Sequence, residues 1–268
     1  MAEDFRLYGD DFNQDAIEQW FREEAQYHNQ FSGGRFEDHP KLYQVFDWYY
    51  ALLPYFHPRP DMRVLDFGCA EGQALAHLPA ERRTYSYVGV DASRSLLERA
   101  ARVHPEGEYR LMPADGIIPA KDGEFDYVVV LGVLHHVPNV AHYLKELFRV
   151  LGPGGRLILR EPSHAMGRIP GSHSKLPGLS PNERGIPAHY LQSQLKELGM
   201  RVLSLRPAYH GAVLQVLRHW QPRSDQAWRV LVSIDKVLSD ATRWNDHYQR
   251  PKIWQKLAPT ANYVVAAK

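Results

Sequence analysis

A single cysteine, Cys69, stands in the whole 268-residue chain, which excludes an intramolecular disulfide and leaves no thiol cluster for zinc. No apolar run approaches the ~18 residues of a membrane span, and the acidic start MAEDFRLYGDDF lacks the basic and apolar regions of a secretion signal. A soluble, cytoplasmic protein is expected. Net charge is nearly absent as well, at +1, which argues against generic nucleic-acid binding. That small sum hides an uneven layout: residues 1–40 hold ten acids against three Lys/Arg, and residues 201–257 hold ten Lys/Arg against four acids. Internal repeats and low-complexity tracts are missing too. With 44% hydrophobic residues, the chain can bury one large core carrying extensions.

Two glycine motifs that bind phosphates are also lacking. A dinucleotide turn needs G-x-G-x-x-G, and here Ala70 and Gln73 occupy the second and third glycine positions after Gly68, which disfavours a nicotinamide-dependent reductase. No G-x-x-x-x-G-K-[ST] occurs, so there is no lysine-bearing phosphate cradle.

What is present is an alternation of periods. Residues 15–31 read as a helix, and in HPKLYQVFDWYYALLPYF the residues Leu42, Val45, Phe46, Tyr49, Tyr50 and Leu53 recur at helical spacing. From Met62 the pattern predicts strands at 62–67, 85–90, 108–112, 126–131 and 155–160, alternating with helices near 72–79, 93–103 and 139–150. Such alternation implies right-handed crossovers and a parallel sheet covered on both faces. A Gly/Pro/Ser/His-rich span runs from residue 161 to about 187, long enough to suggest a functional loop. Beyond it the pattern predicts a helix at 188–198, a strand at 201–207, helices at 211–220 and 225–243, and a last strand in ANYVVAA.

In open parallel sheets, ligands sit beyond the C-terminal ends of the strands. The first strand ends in VLDFGCAEG, where Gly68 can take positive φ and Gly72 permits close approach. Asp91 closes the second strand and could accept from both hydroxyls of a ribose; Asp115 follows the third and could accept from an exocyclic amine. Asp66 could face an ammonium, directly or through water. These acids suit a nucleoside with an amino-acid tail better than a polyphosphate.

VLDFGCAEG, YVGVDAS, MPADG, FDYVVVLGVLHHVPN and LFRVLGPGGRLIL resemble, in order and spacing, the signature segments of class I S-adenosylmethionine-dependent methyltransferases. The resemblance implies a Rossmann-like, doubly wound α/β fold whose seven-stranded sheet ends in an antiparallel strand. It implies an N-terminal helical lid over 1–58, a core over 59–207 and 259–268, and a helical insertion over 208–258. It further implies that Asp66, Gly68 and Gly72, with Cys69 and Ala70 in the same turn, surround the methionine part of S-adenosylmethionine. Asp91 with Ala92 would bind the ribose, Asp115 with Ala114 the adenine, and Leu131 with Gly132 would line the methyl-donor side. Ala70 departs from the commonest glycine-rich loop, a change that bears on affinity. Cys69 has no histidine nearby in sequence and reads as a packing residue.

Methyl transfer is an in-line displacement at an activated carbon, so a base is needed only where the acceptor must lose a proton. His135 and His136, after the fourth strand, are candidates for that base, although related sequences often carry a histidine where His136 stands, which favours a structural role there. Glu161 and His164, after the fifth strand, could orient an acceptor hydroxyl. The spacing of His164, His173 and His189 with Glu161 matches no zinc motif, and no metal is expected. The expected reaction is O-methylation of a small-molecule or glycan acceptor. The competing reading is a non-catalytic S-adenosylmethionine binder that uses the insertion as an interaction surface. The aromatic N-terminal helices (Trp20, Phe21, Tyr27, Phe31) would close over the site or pack in the core. The basic insertion would cover the acceptor pocket or form a homodimer surface, with peripheral contact to an anionic lipid as the other reading.

Overall fold

Residues alternating between two faces decide the sheet. The computed structural model describes residues 12–31, 40–72, 85–165, 182–250 and 252–268, with backbone alone at 25, 27–31 and 40. The helix expected near 72–79, the span 166–181, His173 and the side chains of Tyr27 and Phe31 lie outside the described residues. Seven strands, β1 Arg63–Phe67, β2 Ser86–Asp91, β3 Glu108–Leu111, β4 Phe125–Leu131, β5 Leu151–Pro162, β6 Arg201–Ala208 and β7 Ala261–Ala267, form one sheet in the order β3-β2-β1-β4-β5-β7-β6. β1 to β5 pair in parallel, and β7 runs antiparallel to both β5 and β6. The order reverses between β1 and β4, so a ligand crevice is expected at their C-terminal ends.

Successive strand residues serve opposite layers. Leu65, Val128 and Val130 face the layer of helices α4 Val140–Val150 and α5 Ala188–Glu197. Val64, Tyr127, Val129 and Tyr263 face a second layer, which contains α2 Pro40–Asp47 and the insertion helices α6 Gly211–His219 and α7 Asp225–Ala241. Two further helices are α1 Gln14–Phe31 and α3 Arg94–Val103, the latter capped by Ser93 Oγ accepting from Leu96 N–H. The N-terminal region thus divides. Trp20 and Glu24 of α1 are buried against the loop after β4, whereas Phe46, Tyr50 and Leu52 belong to the second core layer. Phe46 is fully buried, a side chain worth about 2–3 kcal/mol.

Two local departures have visible causes. Helix α2 continues as a π turn, Trp48–Leu52, in which Leu53 N–H reaches Trp48 O; Pro54 follows at once and has no N–H for the helical ladder. Strand β5 begins at Leu151, four residues earlier than the sequence suggests, because Leu151 pairs with Phe125 before the GPGG segment bulges and pairing resumes at Tyr127 with Arg156.

At the opposite edge from the crevice, Glu124 gathers the charges of β1 and β3 and a backbone N–H of the loop before β4. Its Oε1 accepts from Arg63 and Arg110 at 2.8 Å each, and its Oε2 from Lys121 N–H at 2.8 Å. Burial would raise its pKa, but the Arg110 and Lys121 hydrogen bonds and the attraction of Arg110 and Arg63 outweigh it and hold the carboxyl down at about 2. A lowered carboxylate stabilises the fold above its unfolded pKa of 4.5 and loses that contribution as pH falls toward 2. Glu124→Gln should therefore cost on the order of 2 kcal/mol at pH 7, and the difference from wild type, followed by urea unfolding against pH, should vanish near pH 2. A gap that persists unchanged at pH 2 would contradict this assignment.

Candidate active site at the C-terminal edge of the sheet

The turn after β1 is built from left-handed backbone. Gly68, Ala70 and Gly72 have φ of +71°, +47° and +82°, conformations that L side chains rarely adopt. The N–H groups of Gly68 and Cys69 both donate to Val90 O, at 2.7 and 3.1 Å, which folds the turn over the end of β2. A Cβ at Gly68 would stand 2.5 Å from the Val133 methyl groups. Gly68→Ala should therefore destabilise the fold by about 1–2 kcal/mol from backbone strain, with a further cost from the collision. Adding Val133→Ala should recover the collision part alone, as judged by melting temperature. Full recovery in the double variant would show that the strained backbone does not matter.

Asp91 closes β2 with its carboxylate half-buried; Oδ2 accepts from Ala70 N–H at 3.0 Å and Oδ1 from Ser93 N–H at 2.8 Å. Asp115 is exposed, and its Oδ1 accepts from Ile117 N–H at 2.9 Å. Ala114 is exposed beside it and Ala92 stands exposed beside Asp91. Asp66 is placed differently from a group that meets an ammonium directly: it is buried, and its Oδ2 accepts the Tyr87 hydroxyl at 2.6 Å. Cys69 is buried, with its thiol pushed far up by burial and by Asp66 and Asp91, consistent with packing and not with a nucleophile. Leu131 ends β4 and Gly132 follows it; Gly132 has φ +78°, and its N–H donates to Arg160 O at 2.7 Å.

Past Gly132 the chain makes one 3-10 turn, Leu134–His136, held by the buried Glu161. Glu161 Oε1 accepts from Val133 N–H at 3.0 Å and Leu134 N–H at 2.8 Å; Oε2 accepts from His135 N–H at 3.3 Å and meets His135 Nδ1 at 2.8 Å. Burial pushes the Glu161 pKa up to about 7, against the pull of the Leu134 and Val133 N–H groups. Instead of standing at the mouth to orient an acceptor, Glu161 is spent inside on the turn. His136 is covered by α1: its O accepts from Trp20 Nε1 at 2.6 Å, and its Nδ1 lies 3.0 Å from Glu24 Oε2. Burial and neighbouring His135 lower its pKa, opposed by Glu24 and Glu183.

Two further contacts fasten the cover. Arg184 NH2 donates to Val137 O at 3.0 Å while its guanidinium lies 4.5 Å from the Trp20 ring centroid, and Asn139 exchanges hydrogen bonds with the Phe12 backbone. His164 does not join this group. Its Nδ1 lies 3.2 Å from Thr260 O, and burial, aided by Arg250, pushes its pKa down to about 4.

A model of the family described as Methyltransferase domain matches residues 35–205. The chain belongs to this family, the class I S-adenosylmethionine-dependent methyltransferases. It is 30% identical over 173 residues to a demethylmenaquinone methyltransferase of Streptomyces avermitilis, covering 64% of this chain and 67% of that protein. It is 33% identical over 102 residues to a 27-O-demethylrifamycin SV methyltransferase of Amycolatopsis mediterranei, covering 36% and 37% of the two chains. Among solved structures, an S-adenosylmethionine-dependent methyltransferase of Archaeoglobus fulgidus superposes with a TM-score of 0.57 at 16% identity, covering 91% of this chain and 99% of that one, which shows a shared fold. The chain spans about a third to a half of the length of the first curated relatives it matches.

The cofactor of this methyltransferase family is S-adenosylmethionine, and the edge fits it. The turn and strand ends carry Asp91 and Asp115 on the open side with Asp66 buried behind, and Arg99 is paired with Glu71 at 2.8 Å. Such a set of acceptors receives hydroxyls and amines and repels phosphate. Sequence reasoning missed Glu24 and Glu183; only the helical i, i+4 relation of Trp20 to Glu24 was there to signal the first.

An amide at 161 would turn an NH2 group toward N–H donors, so Glu161→Gln should cost about 3 kcal/mol in denaturant unfolding. Wild-type stability in that variant would contradict the pocket as described.

Proposed function

We propose that this chain transfers a methyl group from S-adenosylmethionine to an oxygen of a small-molecule acceptor, a class that includes glycans. The observation that carries the reading is a shared edge: the strained turn with Asp91 and the His135–Glu161 pair stand at the C-terminal ends of the central strands. Two relatives whose names specify demethylmenaquinone and 27-O-demethylrifamycin SV support an acceptor of that class.

When bound, S-adenosylmethionine supplies a methyl group already activated on a sulfonium. The chain's residues bind, orient and shield. Asp91, beside Ala92, accepts from the ribose hydroxyls; Asp115, beside Ala114, accepts from the adenine amine. Gly68, Cys69, Ala70 and Gly72 cradle the methionine part, supported by Asp66 from within, and Leu131 and Gly132 line the side facing the acceptor. Trp20 and the segment 182–187 cover the histidine turn and exclude water. His135 meets the acceptor hydroxyl and takes its proton, and Glu161 acts as a positioning residue that fixes the imidazole.

Calorimetric titration with S-adenosylhomocysteine tests the cofactor half. Asp91→Ala should weaken binding roughly 10- to 100-fold, since a charged hydrogen bond contributes about 1.5–3 kcal/mol; unchanged affinity would remove Asp91 from the site. Formation of S-adenosylhomocysteine with a panel of hydroxyl-bearing acceptors tests the other half. Binding with no turnover on any of them would favour the non-catalytic reading.

A further inference from the structure

Three side chains from distant parts of the sequence converge where α1 and segment 182–187 cover the turn after β4. His135 and His136 are consecutive, with ring centroids 4.0 Å apart and planes inclined by 41°. Glu183 comes from the segment preceding α5. One ligand atom from each of the three lies within 4.8 Å of the others, and His136 Nε2 stands 3.6 Å from Glu183 Oε1. Two ligands about 2.1 Å from a tetrahedral zinc stand roughly 3.4 Å apart, close to that spacing.

The far sides of the two rings are built alike. His135 Nδ1 lies 2.8 Å from the buried Glu161, and His136 Nδ1 lies 3.0 Å from the buried Glu24. A carboxylate on one imidazole nitrogen fixes the tautomer, so that the lone pair stands on the other; metal-bound histidines are held in this way. Here the arrangement occurs twice, side by side, with a third carboxylate on the Nε2 side of His136.

We propose that His135, His136 and Glu183 form a binding site for one divalent transition-metal cation of the zinc type, through Nε2 of each imidazole and the Glu183 carboxylate, with Glu161 and Glu24 as the outer carboxylates. Two imidazoles and one carboxylate suit zinc or its first-row neighbours better than magnesium or calcium, which prefer all-oxygen shells. Three protein ligands also leave coordination room for an oxygen donor. Such a cation ties segment 182–187 to the β4 turn. On the methyl-transfer reading, which this role alone depends on, the cation would bind the acceptor hydroxyl and lower its pKa, the proton passing to solvent as the acceptor enters, in place of proton transfer to the His135 imidazole.

The test uses the full chain, stripped with a chelator and then titrated calorimetrically with zinc chloride and, separately, with magnesium chloride. Zinc should bind at one per chain and raise the melting temperature, and magnesium at the same concentration should do neither. Glu183→Gln should weaken zinc binding at least tenfold while the metal-free melting temperature stays within a few degrees of wild type. Because His135→Gln risks unfolding the turn, X-ray absorption at the zinc edge of the wild-type complex serves as the second measurement and should show two imidazole shells. Sub-stoichiometric zinc, equal response to magnesium, wild-type affinity in Glu183→Gln or an absorption edge without imidazole would each overturn the site. A parallel titration with S-adenosylhomocysteine separates the two readings: cofactor binding without zinc binding removes the metal site alone, and zinc binding without cofactor binding removes methyl transfer alone.

Discussion

The Glu161 carboxylate is the constraint on which the candidate site depends. A chain leaving a buried strand has backbone N–H groups that must find acceptors, and at the end of β4 three consecutive ones, from Val133 to His135, converge on one carboxylate brought by β5. The same carboxylate takes the His135 ring. Loop conformation and imidazole orientation are therefore set by one group. Among the described residues, Trp20 and Glu24 from α1 and Arg184 from the segment before α5 pack on that turn.

The neighbouring residue carries the other half of the architecture, because strand residues alternate faces. Arg160 points into the second layer, where its Nε lies 2.8 Å from the buried Asp47 and its guanidinium stacks over Tyr43. Tyr263 donates to the same Asp47 at 2.6 Å, and Tyr209 meets Tyr263 at 2.9 Å. Asp235 of the insertion accepts from Tyr50, Tyr209 N–H and His210 N–H. Arg160 also donates to Leu131 O at 3.1 Å. The insertion is thereby joined through buried polar contacts to the floor of the edge where the acceptor is proposed to sit, and breaking such a paired network is costly.

The sheet was legible because its strands are short apolar runs bounded by acids and glycines, and each expected strand is present within a few residues. The left-handed Gly68–Gly72 turn and the strand-end position of Asp91 were legible because both rest on local backbone. Glu161 was misjudged for a physical reason: its partners are backbone N–H groups on another strand's loop, which no side-chain pattern records. The grouping of Glu24 and Glu183 around His136 depends on how α1 and the segment before α5 fold back, and sequence separation hides it. The helix over 40–56 read as amphipathic in either role, and only the aromatic second layer, with Tyr50, Tyr209 and Tyr263 stacked, shows what its face meets.

Cofactor and acceptor are proposed to meet across Leu131 and Gly132, between the Asp91 edge and the histidine turn. A crystal structure with S-adenosylhomocysteine bound tests this most directly. The ribose should lie on Asp91, the adenine beside Asp115 and the sulfur toward the His135 side of Gly132. A ligand bound elsewhere on the chain, or one whose sulfur faces away from the histidine turn, would contradict it.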